Sequence, residues 1–113
     1  MLDAGGGISV AEKERARRFE LQITLHYRAN GEGQWHRGFS RNISCSGVLF
    51  HGEDWTAPRT LLEISLSLPR GMTGGRAAEV ICRGMVTRSE RRGRDADGPL
   101  IATRISHYRF LRP

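Results

Sequence analysis

Almost none of the chain's positive charge is lysine, little of its length is cysteine, and no long apolar run appears anywhere in it. Cys45 and Cys82 have no C-x-x-C spacing and no companion His at finger-like intervals, which excludes a zinc finger and gives no disulfide framework. Both read as half-buried thiols in strands. No apolar stretch approaches the roughly 20 residues that a membrane-spanning helix needs, and no charged-then-apolar signal opens the chain. The expectation is a cytoplasmic protein without a membrane span. Catalysis would need a converging nucleophile, base or metal set. His26, His36, His51 and His107 are scattered at no ligand spacing, and no paired carboxylates stand out. The glycine-rich stretch from Gly71 to Gly75 lacks the GxxxxGK[ST] order that cradles a triphosphate. The chain is therefore read as a binding module rather than an enzyme, with no metal and no cofactor.

What is present is enough for one domain. The 113 residues can build one modest core, and 38% hydrophobic with 27% charged content lies outside the disordered class. Eighteen basic residues against 12 acidic ones leave +6, and Lys13 is the single lysine. Arginine is a planar, permanently charged fork suited to phosphates and base edges, so this balance leans toward a nucleotide or phosphorylated partner. A coding bias toward Arg, Gly and Ala explains the total equally well, so position has to decide.

Residues 1–18 read as a flexible leader and basic arm: a triple glycine, then AEKERARR, which is rich in helix formers but has no apolar stripe to bury. From Phe19 to Arg28 apolar and polar residues alternate with the period of a half-buried strand. Asn30 to Gly33 is turn chemistry, and the run from Gln34 to Ile43 completes a hairpin. Val48–His51, Leu61–Leu68, Ala77–Ser89 and Leu100–Tyr108 read as further strands, separated by Gly, Pro and Asp turns. Six short strands at regular spacing without an amphipathic helix predict an all-β fold, a six-stranded antiparallel β-barrel over residues 19–113.

Two segments carry a resemblance. Arg17-Arg18-Phe19 precedes the first strand, and Asn42-Ile43-Ser44-Cys45-Ser46-Gly47-Val48-Leu49-Phe50 follows one hairpin later. Together they resemble the RxxxR and [D/N]xSxxG motifs of PilZ domains, a split-barrel family of bacterial cyclic di-GMP receptors, and the barrel pattern extends the likeness across residues 17 to 110. Asn42, Ser44 and Gly47 fill the fixed positions of the second motif. The first motif is incomplete: four residues beyond Arg17 stands Leu21, and four beyond Arg18 stands Gln22. Lys13 to Arg17 keeps a basic-x-x-x-basic spacing, one turn too early.

The resemblance implies a receptor that holds an intercalated dinucleotide between a mobile arm and the barrel. Arg17 and Arg18 would grip guanine and phosphate, because an Arg fork meets O6 and N7 of guanine with two charge-assisted bonds. Asn42 and Ser44, alternating onto one strand face, would read the base, and Gly47 would allow close backbone approach. Arg15, Arg41 and Arg104 are candidates for the missing guanidinium. Arg41 is the weaker of them, since strict alternation turns it to the face opposite Asn42. The expected partners are cyclic di-GMP and an effector protein met in trans, with the chain a monomer or weak dimer. Two alternatives stand beside this reading. One is a scaffold that has lost nucleotide binding and only docks a protein. The other is a nucleic-acid binder that uses Trp35, Trp55 and Phe39 among the arginines, although Arg88, Arg91, Arg92 and Arg94 beside Asp95 and Asp97 read as a solvated tip. Asn-x-Ser-x-x-Gly is also ordinary turn chemistry.

Overall fold

The computed structural model describes residues 22–69, 78–91 and 98–111. The arm at 1–18, and with it Arg17 and Arg18, lies outside the described residues. Six strands form in chain order: β1 (Thr24–Ala29), β2 (His36–Ile43), β3 (Gly47–Gly52), β4 (Leu61–Leu68), β5 (Ala78–Glu90) and β6 (Leu100–Leu111). They close into an antiparallel barrel in the order β1-β2-β3-β6-β5-β4, with β1 hydrogen-bonded to β4. The predicted all-β barrel is the observed fold. Closure leaves none of the six strands with an open edge.

Period-two patterning decides which side chains fill the interior. Leu62, Ile64, Leu66 and Leu68 of β4 point inward, facing Val80, Cys82 and Val86 of β5 and Ile101 and Ile105 of β6. β2 inverts the expected size order. Its large residues Arg37, Phe39 and Arg41 lie outside, while Gly38 and Ser40 face the interior. The reason is Phe50, fully buried on the neighbouring strand: a Cβ at Gly38 would sit 3.1 Å from its ring and 2.8 Å from the His51 carbonyl. Tyr27 packs its ring 5.0 Å from that of Phe50 and satisfies its hydroxyl on the Asp54 backbone, donating to O and accepting from N at 3.2 Å. No helix among the described residues is long and apolar enough to cross a membrane.

The interior also fixes the state of a thiol. Burial, with Cys45 nearby as a second cause, pushes Cys82 up to about 12 from its ordinary 9.0. Above pH 9 the unfolded chain loses this proton while the folded chain keeps it, so the unfolded state binds fewer protons and stability falls with rising pH. Tyr27, raised above its ordinary 10.0 by burial, acts in the same direction. The urea midpoint is expected to hold up to about pH 9 and then drop toward pH 12, with a shallower drop in Cys82→Ala. An identical pH profile in the variant would show that Cys82 has no part in it.

Candidate functional site

Three departures from regular strand pairing cluster on one side of the barrel. The β2–β3 register shifts between Ser40 and Asn42, and the β5–β6 register shifts twice, leaving Ser106 and Thr87 without ladder partners. A bulge re-aims side chains, because the inside/outside alternation slips by one residue across it. Ser40 and Ile43 both face the interior, so the slip sends both intervening residues, Arg41 and Asn42, to the outside. Strict alternation would have continued from buried Ser40 to place Asn42 in the core. The expectation that Arg41 faces away from Asn42 is corrected by the same slip, although Arg41 does not line the groove described next. In β5 and β6 the bulged hydroxyls return to the partner strand: Thr87 Oγ1 donates to the Ala102 carbonyl and Ser106 Oγ to the Arg83 carbonyl, each at 3.2 Å.

Between these bulges an open groove of about 1010 Å³ crosses the outer face of β2, β3, β6 and β5. Small-molecule sites commonly occupy roughly 300–1,000 Å³. Cross-strand register arranges its lining in two rows. One runs Leu61, Met85, Arg104, Gly47, and the other Arg88, Ala102, Leu49, Asn42. Leu49, Ala102 and Met85 make an apolar floor; Asn42, Ser44, Ser46, Arg88, Arg104 and His107 make a polar rim. No carboxylate lines the groove among the described residues, while two guanidiniums, Arg88 and Arg104, do. Arg88 is partnered by Glu90 at 3.4 Å. The side chain of Arg104 makes no hydrogen bond or ion pair with another described residue, and the same is true of Asn42.

The three residues of the Asn-x-Ser-x-x-Gly segment come together here in different roles. Asn42, half-buried at the end of β2, presents a free amide to the groove. Ser44 lies just past the strand, and its hydroxyl accepts from the N–H groups of Ser46 at 3.2 Å and Gly47 at 3.1 Å. With the Ser44 N–H donating to the Gly47 carbonyl at 2.9 Å, this closes the β2–β3 turn. Ser44 therefore builds the corner of the groove as well as lining it. Gly47 has no positive φ; a Cβ there would come 3.1 Å from the Thr103 carbonyl, so glycine lets β3 approach β6 beside Arg104. The chain enters β1 beside Ser40, two residues before Asn42: Ile23 N–H donates to Ser40 Oγ at 2.9 Å, and Ser40 N–H donates to the Ile23 carbonyl at 2.9 Å.

The aromatics lie differently. Trp35 carries Arg28 over its ring at 4.3 Å, Phe39 carries Arg37 at 5.4 Å, and Trp55 carries Arg91 at 4.9 Å. One face of each ring is thus occupied by a guanidinium of the same chain. Among the described residues no three His, Cys, Asp or Glu side chains gather as a metal site. The sequence pattern overlooked Thr87, Ser106, His107 and the floor residues Met85 and Ala102. Only strand register brings them to the groove, and no local motif marks them. The chain matches no protein-family model and no curated protein.

Proposed function

We propose that this barrel is a PilZ-like receptor for cyclic di-GMP, binding the dinucleotide in the bulge-bordered groove and passing the signal to an effector protein. The observation that carries the reading is the convergence of Asn42, the Ser44-Gly47 corner and Arg104 around an apolar floor whose lining, among the described residues, holds no carboxylate. A dinucleotide needs that combination: a flat apolar bed for a purine, polar atoms for its edges and cationic forks for its phosphates. Arg17 and Arg18 belong to the stretch that leads into β1 beside the Asn42 corner, and in this reading they close over the ligand. A ligand that contacts arm and barrel together selects the docked state of the arm.

The alternative of direct nucleic-acid binding has less support, because a guanidinium of the same chain lies over one face of each of Trp35, Phe39 and Trp55 and leaves only the other face for a base. A protein-docking scaffold is the second reading, favoured by the 57% exposure of Leu61 and 39% exposure of Met85 along the groove. Isothermal titration of the full chain with cyclic di-GMP separates the readings. Saturable heat that bulk single-stranded DNA does not compete away at moderate salt is the expected result. No heat at high ligand concentration would remove the receptor reading and leave the scaffold.

A further inference from the structure

Leu21 and Gln22 stand four residues beyond Arg17 and Arg18, where the PilZ-like reading would place a second arginine. We infer that Arg104 is the specificity-determining residue of this groove, its fork meeting O6 and N7 of a guanine that lies on Leu49 and Ala102, with Asn42 at the base's far edge. The inference rests on the cyclic di-GMP reading above and deepens it. Arg104 is the β6 partner of Gly47, and Asn42 is the β2 partner of Leu49. Two strand spacings and one two-residue step put their Cα atoms about 12 Å apart. A purine bonded at both edges fits between an extended Arg and an Asn at that separation.

Three features hold Arg104 ready. Its side chain is exposed and unpaired among the described residues, so no internal ion pair has to break. Its ladder neighbours are Met85 on β5 and Gly47 on β3, so on the β3 side, toward Asn42, no side chain stands beside it. Its backbone is closely packed on both sides: a Cβ at Gly84 on β5 would come 2.4 Å from the Arg104 carbonyl, and one at Gly47 on β3 would come 3.1 Å from the Thr103 carbonyl. Arg88 is less suited to the base edge because Glu90 already engages it. Its β5 position opposite Ala102 fits it to a phosphate of the same ligand.

The test compares cyclic di-GMP with cyclic di-AMP, which keeps both phosphates but offers an amino group where guanine has O6. Wild-type chain, Arg104→Ala and Arg104→Lys are titrated with each, and thermal unfolding confirms that all three fold alike, as expected for an exposed side chain. The wild type is expected to prefer cyclic di-GMP. Arg104→Ala should weaken cyclic di-GMP by roughly 5- to 150-fold, the span of one bidentate Arg–guanine pair, and leave cyclic di-AMP unchanged. Arg104→Lys should lose most of the same discrimination, because an ammonium keeps the charge without the fork. Equal weakening of both dinucleotides, full rescue by lysine, or no change in Arg104→Ala would each overturn the inference while leaving the receptor reading standing. A wild type that binds neither dinucleotide would overturn both.

Discussion

Phe50→Ala is expected to cost about 3–5 kcal/mol of stability, the range for truncating a fully buried aromatic. Phe50 is 0% exposed and is the residue around which two neighbouring strands are shaped. Tyr27 tilts its ring against it at 5.0 Å from β1, and β2 carries glycine at 38 because any Cβ there would press on the Phe50 ring and the His51 backbone. A cavity at this point cannot be refilled locally: Gly38 has no side chain to move in, and the Tyr27 hydroxyl is tethered to the Asp54 backbone. At roughly 4–8 °C per kcal/mol for a domain of this size, the melting temperature should fall by tens of degrees. Urea unfolding measures the loss directly. A cost under about 1 kcal/mol would mean that the barrel interior repacks freely, contrary to the close packing of β1, β2 and β3 around the ring.

Gly84→Ala is expected to cost about 1–3 kcal/mol by overpacking, and more if β5 and β6 part. The obstruction is backbone rather than a flexible side-chain end: the Arg104 carbonyl lies 2.4 Å from where the new Cβ would stand, with Ile105 and Thr103 side chains at 3.0 Å. The carbonyl is that of Arg104 itself, so relief of the clash must shift β6 at the groove. Gly33→Ala is the matched control. Nothing lies within 4 Å of its added Cβ and its φ is not in the left-handed region, so stability should be unchanged or slightly raised. Equal midpoints for the two variants would show that β5 and β6 are not in the close contact described.

How legible this was in the sequence differs from strand to strand. β4 reads residue by residue, because Leu62, Ile64, Leu66 and Leu68 alternate without interruption from Leu61 to Leu68. The barrel as a whole was equally readable, since short alternating strands divided by Gly and Pro turns have few other ways to bury one face. Strand ends were less so. Alternation predicts β2 from Gln34, but pairing with β1 begins at His36, and β6 continues past Tyr108 to Leu111 because β5 is long enough to pair with it. Alternation was misleading at Ser40-Arg41-Asn42, where a register slip decides which side chain faces out; a bulge between polar residues leaves no compositional mark. The local motif Asn42-x-Ser44-x-x-Gly47 was visible. Turn chemistry was one reading of it, and Ser44 does close the turn; the reason for glycine at 47 was not visible, since it depends on the Thr103 carbonyl that folding brings near. Arg104 stood in the sequence as one candidate among three for the missing guanidinium. Only the pairing of β3 with β6 places it opposite Gly47.

Backbone amide chemical shifts of the full chain, followed during titration with cyclic di-GMP, show whether the ligand sits on the bulge-bordered outer face of β2, β3, β5 and β6. Saturable shifts concentrated at Asn42 to Leu49 and at Ala102 to Arg104, with Phe39 and Trp55 unmoved, are the predicted result. Shifts centred on Phe39 and Trp55, or a spectrum that does not change at saturating ligand, would contradict it.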